Sequence, residues 1–386
     1  MNTSYTSLPL LTIWAHSFCR STLATYLSLA SLDQTSVEIV MCGKIDPELR
    51  AKSGFDSAEF TDAKFVALQP TIAEAISLLK ARPARLHMFT AYHGNTLFQA
   101  LLDAAVESGI SYFIGAEAPQ NMEKTIFRRV AKEIYIPTIL HWRVKRSIAC
   151  SRFFVCYSGL ARRRLRQVGW PDEKIEAFGY YPPSLCSARP DLALPERPEA
   201  TRDEPLHFLA TGTHCRHKSP KTLVEAAALL KDEGLGDKFR CTIAGRGMQT
   251  AAMQAIVRRK ALPVAFPGFV KLETLMLLYR TADVFVGTGI EEPWGIRVND
   301  AIQLGCPTII STGMGAHSDI RDHSLGWIYS SGSAQELARV MRSLIEDRRI
   351  LQRINQRLVC NDDLSPPKQS KRLLEIIERG LGTKAV

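Results

Sequence analysis

Two carboxylates eight positions apart, Glu292 and Asp300, frame the most chemically loaded stretch of the chain, GTGIEEPWGIRVNDAIQLGCPTII over residues 287–310. It begins where an apolar, strand-like run, Ala282 to Val286, ends. A short loop holding Glu291 and Glu292 follows, and Pro293-Trp294-Gly295 is expected to open a helix that stops at Gly305. Proline in the first turn and glycine past the last one are ordinary helix punctuation. The start of such a helix offers backbone N–H groups and a partial positive charge, which suit a phosphate. One carboxylate then sits on the loop and the other on the helix. A phosphate seat between two acids points to a sugar nucleotide, whose hydroxyls need acceptors and whose diphosphate needs donors.

Other strand ends of the second half carry similar chemistry. Gly212-Thr213 opens a turn that continues through Arg216 and Lys218, two cations able to neutralise a diphosphate. Gly245-Arg246-Gly247 would let a ligand approach the backbone. Gly268-Phe269-Val270 could border a flat base. Each alone has an ordinary reading, as a surface charge, a helix-dipole partner or a structural turn. Their recurrence at successive strand ends favours a binding site. In the first half, Glu117 after one strand and His93 in Tyr92-His93-Gly94-Asn95 after another are rival candidates to accept a proton from an acceptor hydroxyl. Glu117 could equally be a helix N-terminal acid, and His93 a packing or surface residue.

The elements that must position these residues alternate between strand and helix. Strands are expected at 8–14, 37–41, 65–68, 85–89, 110–115, 153–157 and 174–178, with helices at 21–31, 71–80 and 95–108, a basic helical region, and a helix through 167. Six prolines between Pro182 and Pro205 break the pattern. It then restarts, with strands at 207–211, 239–244, 264–266, 284–286 and 308–310 and helices between them. Helices at 333–346, 348–358 and 365–381 close the chain, and residues 1–7 read as loose. Such alternation implies an α/β protein with two doubly wound parallel sheets, facing each other across a cleft. The expected domains are 1–185 on the acceptor side, a linker at 186–205, a donor domain at 206–364, and a terminal helix at 365–386 returning toward the first domain.

A chain of 386 residues, 46% hydrophobic, accommodates two such domains. Its nine cysteines are scattered, with no C-x-x-C pair. That argues for reduced thiols in a cytoplasmic setting and against a disulfide framework or a zinc site. No run of about 18 apolar residues occurs, so a soluble or peripheral protein is expected. The net charge of +10 is concentrated: residues 124–166 hold twelve Lys and Arg against one acid, Glu133. That window is +11, so the remainder is 10 − 11 = −1. Ile126, Phe127, Ile134, Tyr135, Ile136, Ile139, Leu140 and Trp142 are interleaved with those cations. A basic amphipathic segment with aromatics reads as an element drawn to an anionic membrane surface; the plainer reading is a solvated face over a core-packed one. No nucleic-acid module is recognisable.

The second half resembles the donor domain of retaining, GT-B-fold glycosyltransferases of family 4, the glycosyl transferases group 1. The resemblance runs through FLATGTHCRHKSPKTLVEAAALL, CTIAGRG, FPGFV, LLYRTADVFVGTGIEEPWGIRVNDAIQLGCPTIIST and GMGAHSDIRDHSLGWIYSSGSAQELARVMRSLIED, covering 208–347. It implies that Glu292 contacts hydroxyls of the donor sugar and that Gly295 and Ile296 give N–H groups to the diphosphate. Arg216 and Lys218 would supply counter-charges, and the second acid would hold the ribose hydroxyls. The family's second acid is normally glutamate; Asp300 is one methylene shorter, which implies a looser or water-mediated ribose contact. The first half is less similar. His16-Ser-Phe-Cys-Arg-Ser21 replaces the glycine pair many members carry after the first strand, and Ala116-Glu117 stands where many have a histidine. The resemblance implies transfer of a sugar from a nucleotide diphosphate sugar to a hydroxyl, with retention and no bound cofactor or metal. The expected acceptor is a glycan or a lipid-linked saccharide in surface polysaccharide assembly, handled in the cytoplasm or on the inner face of the membrane. The alternative is an inactive sugar-nucleotide binder or scaffold of the same fold. A dehydrogenase is disfavoured, because the first strand is not followed by G-x-G-x-x-G.

Overall fold

The computed structural model describes residues 10–17, 20–32, 36–43, 65–119, 126–188, 190–197, 204–322, 324–359 and 362–382. The expected loose start at 1–7 and Lys124 of the basic window lie outside the described residues. The chain forms two units, one of Met1–Pro183 with Ser365–Val386 and one of Ser184–Leu364.

In the first unit seven parallel strands take the order β3-β2-β1-β4-β5-β6-β7. They are β1 (Leu11–Ala15), β2 (Val37–Met41), β3 (Ala67–Leu68), β4 (Leu86–Phe89), β5 (Tyr112–Ala116), β6 (Phe154–Cys156) and β7 (Ile175–Ala177). β1, β4 and β5 are buried throughout, as strands covered on both faces must be. Two buried polar side chains on neighbouring strands are matched to each other. Trp14 Nε1 donates to His87 Nδ1 at 3.1 Å, so the other ring nitrogen of His87 carries the proton and donates to Arg82 O at 3.0 Å. Helix α1 (Arg20–Ala30) packs against the last helix of the chain, Pro366–Gly380, and the ring of Phe153 lies against Gly380. α2 (Ile72–Lys80) starts with a capping box between Thr71 and Glu74, and α3 (Thr96–Glu107) is capped by Asn95.

The basic region forms one continuous helical run: α4 (Ile126–Tyr135), a π-turn (Ile136–Leu140) and α5 (His141–Cys150). Pro137 lacks an N–H and its ring crowds the preceding turn; the wider π-turn absorbs both defects. Ile136, Leu140, Val144 and Ile148 turn into the core. α4 buries none of its residues, and Phe127 is 81% and Trp142 69% exposed. The apolar face of α4 is therefore not a core face. α6 (Arg162–Val168) follows β6 and ends at Gly169.

In the second unit six parallel strands take the order β10-β9-β8-β11-β12-β13. They are β8 (Leu206–Thr211), β9 (Phe239–Ala244), β10 (Val264–Gly268), β11 (Val284–Gly287), β12 (Thr308–Ser311) and β13 (Gly326–Tyr329). β13 is an addition to the sequence reading. It is a four-residue edge strand, mostly half-buried, and so leaves no alternating apolar signal. The helices used below are α7 (Lys221–Asp232), α8 (Thr250–Lys260), α9 (Leu272–Thr281) and α10 (Ile296–Gln303). The proline-rich stretch is stitched to this unit. Arg197 donates to Ala282 O at 2.6 Å and Asp283 O at 2.9 Å, and Arg280 donates to Pro195 O at 2.9 Å. In both sheets the first strand lies between the second and the fourth, so the strand order reverses at β1/β4 and at β8/β11. Ligands of open α/β sheets bind beyond the C-terminal ends of strands at such a reversal.

Candidate functional site

A recess opens at the β8/β11 reversal. The C-terminal ends of those strands, Ala210-Thr211 and Phe285 to Gly287, form its floor. Gly212, Thr213, His214, Lys218, Glu292, Gly295, Arg297 and Met314 line it further. Five residues expected from sequence therefore come together here: Gly212, Thr213, Lys218, Glu292 and Gly295.

Neighbouring loops fix the position of Glu292. Ile290 N donates to His217 O at 2.8 Å, and Thr288 Oγ1 to Lys218 O at 2.7 Å, tying the acidic loop to the turn after β8. On the other side Glu292 N donates to Gly313 O at 2.9 Å and Gly315 N to Glu292 O at 3.1 Å. Ser311 Oγ also donates to Gly289 O. The acid is held like a short strand between two loops, and its carboxylate accepts Lys218 Nζ at 3.1 Å.

The helix after the loop starts later than expected. Pro293 and Trp294 precede it, and Gly295, at φ 96°, is its N-cap. That left-handed turn suits glycine. A side chain there would also strike Met314 Cε, at 2.3 Å. Ile296 and Arg297 then occupy the first helical positions, where backbone N–H groups have no carbonyl one turn back. Trp294 is buried, its Nε1 donating to Asn299 Oδ1 at 2.9 Å, so it anchors the helix start from behind. Asp300 is also behind the recess. Its side chain is 2% exposed, and Arg297 Nη1 donates to its Oδ2 at 3.1 Å.

Gly245, Phe269 and Val270 form a neighbouring edge, at the ends of β9 and β10. Gly245 N donates to Gly268 O at 2.7 Å, and Gly212 N to Ala244 O at 2.9 Å, so this edge is laced to the recess through the backbone. Gly245 has φ 129°, and a Cβ there would lie 1.9 Å from Gly212 O. Phe269 is 75% exposed, a flat apolar face open to solvent. Arg216 is exposed and does not line the recess.

Among the lining residues not singled out from sequence are His214, Arg297 and Met314. His214 is buried, and burial pushes its imidazole down from the ordinary histidine range. Thr250 Oγ1 donates to Gly247 O at 2.8 Å, so its contact with His214 Nδ1, also 2.8 Å, has the imidazole as donor. The Nε2 of His214 then keeps its lone pair. Nothing in residue type marked Met314, which matters because Gly287, Gly289 and Gly295 all pack against it. Arg297 could have been found from its position one helical turn before Asp300.

The first-unit candidates are spread over the ends of β4 and β5. Glu117 is exposed and accepts Tyr180 Oη at 2.6 Å. His93 is half-buried, and burial followed by the Lys132 charge holds it below the usual histidine range. His16, after β1, was passed over. Thr90 Oγ1 donates to Trp14 O at 2.9 Å and so accepts from both His16 N at 2.7 Å and His16 Nδ1 at 2.9 Å. That fixes the tautomer and leaves Nε2 as an acceptor.

Part of the sequence, and the fold, are similar to known proteins. Residues 196–358 match the family model described as Glycosyl transferases group 1, and so form a domain of that kind. EpsD of Bacillus subtilis, which carries a glycosyltransferase designation, is 28% identical over 142 residues, 36% of this chain and 36% of its own. The matched segments span 36%, 24% and 24% of three curated relatives. The fold is similar to the lipopolysaccharide outer core galactosyltransferase WaaB in its apo form. The TM-score is 0.65 at 14% identity, covering 96% of this chain and 99% of that one. It is also similar to Anabaena HepE in complex with UDP, with TM-score 0.64 at 12% identity, covering 96% and 100%. The architecture, two parallel-sheet Rossmann-like halves, is that of GT-B glycosyltransferases.

Proposed function

We propose that the protein is a retaining glycosyltransferase. It takes a sugar from a nucleotide diphosphate sugar and places it on an acceptor hydroxyl. The observation that carries this reading is the Lys218–Glu292 pair at the mouth of the β8/β11 recess, beside the start of α10. The cation and the helix-start N–H groups at Gly295-Ile296 meet the negative charge that builds on the leaving diphosphate. Glu292 accepts hydroxyls of the donor sugar, and Phe269 with Val270 borders the base above the Gly245 turn. Acceptor-side proton removal falls to Glu117 or His93. The relatives support the donor class: HepE binds UDP and UDP-glucose, and WaaB is a galactosyltransferase.

The acceptor in this reading is a lipid-linked saccharide met at an anionic membrane surface. Support comes from the run of α4, the π-turn and α5, where Ile126, Phe127, Val130, Ile134, Ile139 and Trp142 are exposed among Arg128, Arg129, Lys132, Arg143, Lys145 and Arg146. No described helix is long and apolar enough to cross a membrane.

The test is release of nucleotide from UDP-, GDP-, dTDP- and ADP-sugars, with and without membrane extract as acceptor source. Turnover with one donor is expected, and Glu292→Gln should lower it about 100-fold or more, the scale of losing a preorganised electrostatic contact. No turnover with any donor would favour the inactive binder. Unchanged turnover in Glu292→Gln would remove Glu292 from the mechanism.

A further inference from the structure

The recess lining contains two cations, Lys218 and Arg297. Lys218 is already paired with Glu292. Arg297 stands at the second position of α10, one residue after the first helical N–H, and its side chain is 45% exposed. Its guanidinium is anchored on one side by Asp300, one turn along the same helix and buried beneath it. Asp300 and the nearby Tyr279 are the groups that act on its charge. Tyr279 Oη in turn contacts Thr211 Oγ1, at 2.9 Å, on the recess floor.

A nucleoside diphosphate brings two to three negative charges to this recess. Lys218 shares its charge with Glu292, and Arg216 lies outside. Arg297 is the one guanidinium among the described lining residues. An arginine held at one edge by a carboxylate keeps its remaining donors in a fixed plane, which suits the paired oxygens of a phosphate. The buried carboxylate also removes the need to order a long side chain when the ligand arrives.

We infer that Arg297 is the principal guanidinium for the donor's diphosphate, and that Asp300 is a positioning residue that aims it rather than a holder of the ribose. This rests on the nucleotide-sugar reading above and assigns that site's charge differently from the resemblance. Asp300, at 2% side-chain exposure, gives its Oδ2 to Arg297. The eight-residue spacing of the two acids then serves two cations: Glu292 steers Lys218 and Asp300 steers Arg297.

The experiment compares a nucleoside diphosphate with its own nucleoside by calorimetry. UDP, GDP, dTDP and ADP are screened on the full chain, and the tightest binder is carried forward. Arg297→Met is expected to weaken the diphosphate about 10- to 100-fold while leaving the nucleoside within about 3-fold. Arg297→Lys should fall between, since an ammonium cannot reproduce the planar fork. Asp300→Asn should weaken the diphosphate in the wild-type background and add almost nothing in Arg297→Met, because it acts through that side chain. Equal loss of nucleoside and diphosphate in Arg297→Met, or no loss, overturns the inference. So does a selective loss of nucleoside binding in Asp300→Asn, which would restore the ribose role. If wild type binds none of the four diphosphates, the nucleotide-sugar reading falls and this one with it.

Discussion

Replacing Phe127 and Trp142 together by serine gives the sharpest test of the basic helical run. These side chains are 81% and 69% exposed, so their loss removes no core packing. Covering a large apolar side chain is worth roughly 1.5–3 kcal/mol, so shielding most of these two contributes about 3 kcal/mol, near 150-fold in partition. Six cations on the same run, Arg128, Arg129, Lys132, Arg143, Lys145 and Arg146, each add about 1 kcal/mol near an anionic surface. The assay is co-sedimentation with sucrose-loaded vesicles of phosphatidylcholine, with or without 30% (roughly, by choice of a strongly anionic surface) phosphatidylglycerol. Wild type should bind the anionic vesicles and bind the neutral ones far more weakly. The double variant should lose about two decades on anionic vesicles while its thermal midpoint stays put. Undiminished binding of the variant, or equal binding of wild type to both vesicle types, would refute the reasoning. The exposed face would then be a surface for something other than lipid.

Three further outcomes follow from the second unit. Lys218→Met leaves Glu292 without its 3.1 Å partner and should raise the donor's dissociation constant about 10-fold or more, read by calorimetry, with the free nucleoside much less affected. Gly245→Ala places a Cβ 1.9 Å from Gly212 O at φ 129° and should cost roughly 3 kcal/mol or more, seen as a lower denaturation midpoint; an unchanged midpoint would mean the two turns separate freely. His207 is pushed down to about 4 by burial and then by Arg240. The unfolded chain therefore takes up that proton first, and stability is lost as pH falls from 6.5 toward 4. The loss approaches roughly 3 kcal/mol. Hydrogen exchange at the Phe208 and Cys241 amides should show that acid slope in wild type and a flatter one in His207→Gln.

Much of the architecture was legible because buried parallel strands announce themselves. Val284–Gly287 and Thr308–Ser311 are buried throughout and lie within one residue of the runs expected at 284–286 and 308–310. Fully buried strands leave such runs whatever they pair with. Elements without that signature were harder. β13 is a half-buried edge, and α10 begins after the proline expected to start it, because Gly295 must turn left-handed over Met314.

The sequence by itself determined which residues could do chemistry and that they fall at strand ends: Gly212, Lys218 and Glu292 carry their meaning in type and spacing. Only the tertiary structure decided which of them share one recess. Arg216 and Lys218 are two residues apart, yet one faces solvent and the other meets Glu292, 74 positions away, because the turn after β8 is tied through Thr288 to the acidic loop. Arg297 and Asp300 are the converse. Their spacing puts them on one helix face, but whether the acid meets ligand or braces the arginine depends on what buries it. That is set by packing between α10 and its neighbours, a long-range property that no local pattern encodes.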